Sequence, residues 1–170
     1  LPFTSSDVEC TFGLLTGRNR DRLRRNPRGA WYRNINYVHS SSDHEVTIYL
    51  NRPQPSLLSL LASGYSPIYP CHVPAAQMRT RPVGTGPFKF VEFKQNEGIK
   101  IARNPDYWKK GKPYLDGIEF TIVPNRGTAV LSFISGRFDI TFPWEVTIPL
   151  LKDIKNQLPN AQCQVTSMNN

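Results

Sequence analysis

The fold is decided by residues 118–168, which read IEFTIVPNRGTAVLSFISGRFDITFPWEVTIPLLKDIKNQLPNAQCQVTSM. Apolar residues alternate with other residues at Ile118, Phe120 and Ile122, which is typical of a half-buried strand, and later apolar residues recur at helical spacing. The pattern predicts, in order, strand, helix, strand, helix and strand over residues 118–122, 128–134, 138–142, 146–158 and 162–168. Because strands that alternate with helices tend to pair in parallel, this βαβαβ order predicts some parallel pairing.

The residues before this region predict two helices and two hairpins. Val46, Ile48 and Leu50 alternate along one strand, and a polar stretch separates it from the strand before it. The predicted elements are a helix over residues 8–15, a hairpin of strands 31–38 and 45–50, a short helix over 57–61, and a second hairpin of strands 88–93 and 99–101. Ser5 or Ser6 is the expected cap of the first helix. Together with the βαβαβ order, these elements predict a mixed α/β fold.

Composition and charge describe an ordinary globular chain with one basic segment. The 170 residues are 39% apolar and 20% charged, which excludes wholesale disorder. No apolar run approaches the roughly 20 residues that a transmembrane helix needs. The formal net charge is +8, and six arginines fall between Arg18 and Arg28. This cluster carries the alternative prediction of a basic nucleic-acid-binding domain, although no known nucleic-acid-binding motif accompanies it.

Neither a metal site nor a catalytic centre is predicted. His39 and His44 lie at a predicted hairpin turn, where solvated polar side chains are expected, whereas a metal site needs three or four converging ligands. The chain lacks the G-x-S-x-G pattern of a nucleophile elbow. The segment Gly84-Thr85-Gly86 lacks the Lys and Ser/Thr of a phosphate-binding loop. We therefore predict a binding protein that is not an enzyme and needs no cofactor.

Five motifs follow one another along the chain. Three are the segments PVGTGPFKF at 82–90, IARNPDYW at 101–108 and GKPYLDGIEF at 111–120. The other two are DHEV at 43–46 and SGRFDI at 135–140. In this order they resemble the family 5 extracellular solute-binding proteins, the peptide/nickel-type receptors of bacterial ABC transporters. The helix start Ser6-Asp7-Val8 resembles a further motif of the family, so the similarity runs in order from residue 6 to residue 140 and is specific.

The resemblance implies the fold and its division. The fold is expected to be a partial periplasmic-binding-protein-II-like lobe of the dipeptide/oligopeptide-binding type (class C), with an α+β subdomain. Residues 1–80 would form the extra subdomain of lobe one, and residues 81–170 its central part, ending near the hinge to lobe two. Family members are much longer than this chain, which begins at Leu1 without a methionine. We therefore expect the chain to be a fragment.

The resemblance also implies a function. It predicts a receptor that captures a ligand, with peptide as the leading class, for an ABC importer. The expected location is periplasmic or extracellular after export, and the expected partner is an ABC permease in the membrane, not nucleic acid. Because two lobes close around the ligand in this family, the fragment alone is expected to bind weakly. Apolar surface on its severed lobe predicts a homodimer of the fragment.

The ligand-facing residues implied by the resemblance follow the arginine cluster. They are Trp31, Tyr32 and Asn34. An aromatic side chain at this place would stack on a ligand or cover it. The alternative for Trp31 is that its ring packs under the first hairpin.

The number of cysteines does not decide their redox state. Cys10, Cys71 and Cys163 allow one disulfide with one buried thiol, or three free buried thiols. The family resemblance implies an extracytoplasmic compartment, where a disulfide persists. It therefore suggests the hypothesis that Cys10 and Cys71 join the first helix to the Tyr-Pro segment.

Overall fold

The computed structural model describes residues 2–19, 27–141 and 146–165. Its helices and strands are α1 (Ser5–Leu15), β1 (Ile35–Ser42), β2 (Glu45–Leu50), α2 (Leu57–Leu61), β3 (Phe88–Lys94), β4 (Gly98–Arg103), β5 (Gly117–Thr121), α3 (Arg126–Ile134) and α4 (Ile148–Gln157). The chain divides into two units, a first of Leu1–Phe93 with Ile99–Glu119 and a second of Lys94–Gly98 with Phe120–Asn170. The predicted division into residues 1–80 and 81–170 stays a prediction. Within the described ranges, no helix is long and apolar enough to cross a bilayer.

Helix α1 begins at a capping box. The backbone N–H of Thr4 donates to the Asp7 carboxylate at 3.0 Å, and the Thr4 side chain faces the backbone of Asp7 in return. The prediction of Ser5 or Ser6 as the cap is therefore wrong, because both residues lie in the first helical turn. The helix ends before Gly17, whose φ of +75° is a left-handed conformation that favours glycine.

The first unit has its core between α1 and the antiparallel hairpin of β1 and β2. The buried side chains of this cluster belong to Phe12, Leu15, Tyr32, Ile35 and Val38. Burying a large apolar side chain contributes about 1.5–3 kcal/mol, so this cluster is the main source of stability in the unit. The hairpin is confirmed, although β1 begins at residue 35 instead of 31, because Gly29–Tyr32 forms a 3-10 helix.

A disulfide joins α1 to the segment that follows α2. Cys10 and Cys71 are bonded, with their Cα atoms 6.1 Å apart, which confirms the hypothesised bridge. The same junction holds a hydrogen bond from the Cys71 N–H to the Asp7 carboxylate at 2.9 Å. Cys163 is free and exposed, so the expectation that an unpaired thiol is buried is wrong.

The second sheet has the strand order β3-β4-β5. The Arg103 N–H donates to the Asp116 carbonyl at 2.7 Å, and the Ile122 N–H donates to the Glu97 carbonyl at 2.8 Å. From the first bond to the second, the residue number rises from 116 to 122 on the β5 side and falls from 103 to 97 on the β4 side. The two strands are therefore antiparallel. Because β3 and β4 are neighbours in this sheet and follow one another in the chain, the second hairpin is confirmed, and β5 confirms the strand predicted over residues 118–122.

Asn104 joins two of the sequence motifs to each other. Its side-chain amide donates to the Gly86 carbonyl at 2.9 Å, and its backbone N–H donates to the Pro87 carbonyl at 2.9 Å. Its side-chain oxygen accepts from the Asp106 N–H at 3.1 Å. Because Asn104 is only 5% exposed, water does not replace these partners, and the residue fixes the Gly-Pro turn against the Asn-Pro turn.

We expect Asn104→Ala to lower the free energy of unfolding by about 1–3 kcal/mol, because it leaves the Gly86 carbonyl and the Asp106 N–H without this partner. Urea unfolding of the chain measures the change. Asn36→Ala, at an exposed position of β1, is the matched control and should change stability by less than about 0.5 kcal/mol. Equal effects of the two substitutions would contradict the bracing role of Asn104.

The second unit is built on two packed helices, α3 and α4. Its buried core consists of Val130, Ile154 and Ala161, with further apolar residues packed against it. Both helices were predicted, and α4 begins at residue 148 instead of 146. The strands predicted over 138–142 and 162–168 are wrong as far as they are described, because residues 138–141 and 162–165 form no strand. The described sheets likewise contain no parallel pair of the predicted βαβαβ kind.

Candidate functional site

An exposed aromatic cluster stands at the start of β1. Trp31 is 46% exposed and meets the ring of Tyr65 edge-on, with the centroids 5.4 Å apart. The Arg28 guanidinium lies 4.0 Å from the centroid of the Tyr65 ring and 5.5 Å from that of Trp31. We call these three residues the Trp31 cluster. It presents flat apolar surface beside a cation, which suits stacking on a planar or apolar group.

Tyr32 lies under this cluster and not on its surface. Its side chain is fully buried, and its ring meets Phe12 edge-on at 6.2 Å. The Tyr32 hydroxyl donates to the Tyr65 carbonyl at 2.7 Å and lies 3.0 Å from the Ser66 hydroxyl. The side chain therefore has no exposed surface in this structure, and its role as a ligand-facing residue stays a prediction. Tyr32 instead fixes the backbone that carries the exposed ring of Tyr65.

Asn34 braces the neighbouring segment. Its side-chain amide donates to the Arg52 carbonyl at 2.9 Å and to the Gln54 side chain at 2.8 Å, and its side-chain oxygen accepts from the Arg52 N–H at 3.2 Å. The side chain is therefore engaged by the residues that follow β2. Of the three predicted residues, Trp31 has the most exposed side chain, and its ring contacts that of Tyr65. Its contact with a ligand stays a prediction.

A cleft of about 500 Å³ lies between α1 and β1 in the first unit. Glu9 and Arg18 line it with opposite charges, and Tyr37 contributes an aromatic wall. One Glu9 carboxylate oxygen accepts from the Ser40 N–H at 3.0 Å. The rings of Tyr37 and Tyr49 are stacked, with their centroids 4.2 Å apart. Desolvation is the main cause that raises the pKa of Tyr37, and the neighbouring Tyr49 hydroxyl adds to it. This wall therefore stays uncharged at neutral pH.

The remaining candidate residues are His39, His44 and the basic segment. His39 and His44 are exposed on the first hairpin. Among residues 2–19, 27–141 and 146–165, no three His, Cys, Asp or Glu side chains come together as metal ligands do. Most of the basic segment between Arg18 and Arg28, residues 20–26, lies outside the described residues.

Tyr65 is the site residue that sequence reasoning missed. It lies 34 positions after Trp31, in a segment that proline and glycine mark only as irregular. No local pattern indicates which distant aromatic ring a tryptophan will meet. The stretch Gly64-Tyr65-Ser66-Pro67 signals a turn, which is the one feature that points to an exposed position for this ring.

Comparison with known protein families decides what kind of protein carries this site. The family model described as Bacterial extracellular solute-binding proteins, family 5 Middle, matches residues 1–170. The chain belongs to this family. The predicted resemblance is thereby confirmed.

Relatives within family 5 agree in sequence and in structure. The oligopeptide-binding protein AppA of Bacillus subtilis is 32% identical over 149 residues, which cover 82% of this chain and 26% of AppA. The structure of AppA in complex with a nonapeptide has a TM-score of 0.67 at 30% identity and covers 79% of this chain and 28% of that one. MoaA of A. tumefaciens R10, solved in complex with mannopinic acid, has a TM-score of 0.69 at 28% identity and covers 80% of this chain and 27% of that one.

These matches settle several predictions. The fold is a partial family 5 lobe of the periplasmic-binding-protein-II-like type, mixed α/β as predicted. The chain spans about a quarter of the length of the curated relatives it matches. AppA is named as a binding protein and not as an enzyme. The alternative of a nucleic-acid-binding domain gains no support from the matches.

Proposed function

We propose that this chain is part of an extracytoplasmic receptor that captures a peptide and delivers it to an ABC importer. The observation that carries the proposal is the similarity to AppA in both sequence and structure, because that structure holds a nonapeptide. A periplasmic or extracellular location and an ABC permease as membrane partner belong to the same proposal. The receptor binds its ligand without a cofactor and without chemical conversion.

The Trp31 cluster is the part of this chain that we assign to ligand contact. An aromatic ring gives large contact area with little loss of conformational freedom, and it accepts ligands of different sequence because stacking is not specific to one side chain. Tyr32 and Asn34 are positioning residues in this proposal. The Tyr32 hydroxyl donates to the Tyr65 carbonyl at 2.7 Å, and the Asn34 side-chain amide donates to the Arg52 carbonyl after β2. The Trp31 ring therefore stands on a braced platform.

The Cys10–Cys71 disulfide supports the proposed compartment. Disulfides persist in the periplasm and outside the cell and are rare in the reducing cytosol. This bridge joins residues 61 positions apart, so it links α1 to a distant segment and is not a local pairing. Its presence is the physical feature of this chain that favours an exported protein.

The test is calorimetry of the receptor polypeptide that contains this chain, titrated with tripeptides, a nonapeptide and mannopinic acid. We expect micromolar or tighter binding of at least one peptide. We expect weak or no binding by the 170-residue chain alone, because other parts of the receptor complete the site. Binding of mannopinic acid with no peptide bound would overturn the peptide assignment.

Trp31→Ala in the same receptor tests the assigned contact. We expect peptide affinity to fall about 5- to 30-fold, which corresponds to about 1–2 kcal/mol for a lost aromatic contact. Trp108→Ala is the matched control, since Trp108 is 73% exposed and lies outside the Trp31 cluster. Equal losses of affinity in the two variants would contradict the role of Trp31.

A further inference from the structure

An exposed loop in the first unit combines aromatic rings with lysines. It connects β4 to β5 over residues 105–116, and we call it the Trp108 loop. The side chains of Trp108 and Tyr114 are 73% and 79% exposed, more than any other aromatic side chain in the described ranges. Leu115, next to Tyr114, is 58% exposed. Neighbouring apolar side chains that are this open mark an interaction surface.

The Trp108 loop is fixed by hydrogen bonds to its own strand. The Arg103 guanidinium of β4 donates to the Tyr114 carbonyl at 2.9 Å and to the Asp116 carboxylate at 2.7 Å. Within the loop, the Lys112 N–H donates to the Lys109 carbonyl at 3.2 Å and closes a turn. The Asn-Pro turn described above holds the start of the loop. The exposed rings therefore stand on a braced backbone.

The lysines of the loop lie against its exposed rings. The Lys109 ammonium is 4.7 Å from the centroid of the Trp108 ring, and the Lys112 ammonium is 3.4 Å from that of the Tyr114 ring. Both distances are within the range of cation–π contacts. Lys110, between them in the sequence, is exposed as well. Positive charge and apolar surface therefore occupy the same place.

The acidic side chains of the loop do not neutralise these three lysines. The Asp106 carboxylate lies 2.9 Å from the Lys89 ammonium, and the Asp116 carboxylate lies 2.7 Å from the Arg103 guanidinium. In the part of the chain that the structure describes, no ion pair includes a lysine of the loop. The lysines are therefore available to an anionic partner.

The combination of residues fits one kind of partner, an anionic lipid surface. Trp and Tyr are enriched where lipid meets water, because their rings are apolar and carry one polar group. Lysines near the surface add attraction to anionic headgroups, and their apolar stems lie along apolar surface while the ammonium stays in water. An acidic protein surface would satisfy the lysines but would leave the open rings and Leu115 without an apolar partner.

We propose that the Trp108 loop binds the surface of a membrane that contains anionic phospholipid. The Trp108 and Tyr114 rings and Leu115 enter the headgroup region, and the three lysines contact lipid phosphates. The contact is peripheral and reversible, because only a few side chains contribute to it. The proposal extends the proposed function, since a receptor that delivers its ligand to a membrane permease works beside such a surface.

The test is co-flotation of the receptor polypeptide that contains this chain with lipid vesicles, without peptide. One set of vesicles contains phosphatidylglycerol and phosphatidylcholine in equal parts, and the other contains phosphatidylcholine alone. We expect binding to the anionic vesicles at low salt and at least about tenfold weaker binding to the neutral ones. The bound protein should be released at about 1 M salt, where the Debye length is only about 3 Å.

Paired charge variants assign the contact to the loop. Lys109→Gln together with Lys110→Gln should weaken binding to anionic vesicles about 10- to 30-fold. Arg79→Gln together with Arg81→Gln is the matched control, because it removes the same charge from exposed positions outside the loop. It should change binding less than about threefold.

An aromatic pair tests the apolar part of the contact. Trp108→Ala should weaken vesicle binding at least about threefold, because binding scales with the apolar area that enters the interface. Tyr37→Ala, at an exposed ring of β1, is the control and should leave binding unchanged. Peptide calorimetry of the Trp108→Ala receptor should match the parent. Vesicle contact and peptide capture can therefore fail independently.

Three outcomes would overturn the proposal. The first is no flotation with anionic vesicles, or equal flotation with neutral ones, and the wild-type receptor alone decides this. The second is vesicle binding that survives the loop variants but falls with Arg79→Gln and Arg81→Gln, which would assign the contact to another basic surface. The third is loop-dependent binding of polyglutamate without binding of vesicles, which would assign the loop to an acidic protein partner.

Discussion

Tyr32→Ala is expected to lower the free energy of unfolding of this chain by about 3–5 kcal/mol, as for other large-to-small substitutions of buried aromatic residues. Tyr32 is fully buried and sits in the cluster with Phe12, Leu15, Ile35 and Val38, so its loss leaves a cavity in the main core of the first unit. Because a domain has only about 5–15 kcal/mol of stability in all, this one change brings the unit near unfolding. Urea unfolding, followed by circular dichroism, measures the effect.

Two further substitutions separate the contributions of the Tyr32 ring and hydroxyl. Tyr32→Phe keeps the ring but removes the hydrogen bond to the Tyr65 carbonyl, and it should cost about 0.5–1.5 kcal/mol. Tyr114→Ala, at a ring that is 79% exposed, should cost less than about 0.5 kcal/mol. If Tyr32→Ala were no more destabilising than Tyr114→Ala, the buried position of Tyr32 would be refuted.

Loss of the Cys10–Cys71 disulfide is the second change with a large expected effect. The bridge closes a loop with a sequence separation of 61 residues, and chain-entropy arguments give about 4 kcal/mol for a loop of this length. Replacing both cysteines by serine should therefore lower the free energy of unfolding by about that amount. The hydrogen bond from the Cys71 N–H to Asp7 depends on the same junction and weakens with it.

The measurement is urea unfolding with and without reductant. Reductant should destabilise the parent chain and have no effect on the variant that lacks Cys10 and Cys71. Cys163→Ser is the control and should leave the reductant effect in place, because Cys163 is free. Alkylation of three thiols in the absence of reductant would show that the bridge does not form.

The elements that depend on local chemistry were predicted well. Alternation of apolar residues from Val46 to Leu50 predicts β2, and helical spacing predicts α1, α3 and α4. The error at the first cap is also local, since Thr4, Ser5 and Ser6 all have hydroxyls that can cap a helix. Thr4 is the N-terminal cap because Asp7 lies three residues later and completes the capping box.

The strand predictions at 138–142 and 162–168 failed for a different reason. Alternation shows that a segment can bury one face, but a strand exists only when a neighbour supplies its hydrogen bonds. Residues 139–141 and 162–165 have the alternation and, within the described residues, lack that neighbour. The alternation in these segments therefore shows a potential for pairing and not a strand of this structure.

The amino-acid sequence was enough to predict the mixed α/β class, both hairpins, the main helices and the family, because each rests on residues close together or on motifs in a fixed order. Only packing in three dimensions shows that Tyr32 is buried and that Tyr65 completes the Trp31 cluster, and it confirms the Cys10–Cys71 bridge that the family resemblance suggested. The Trp31–Tyr65 contact and the Cys10–Cys71 bond join residues more than 30 positions apart, and the Tyr32 ring meets that of Phe12 from 20 positions away. Their partners are selected by packing in three dimensions, which local propensity does not specify.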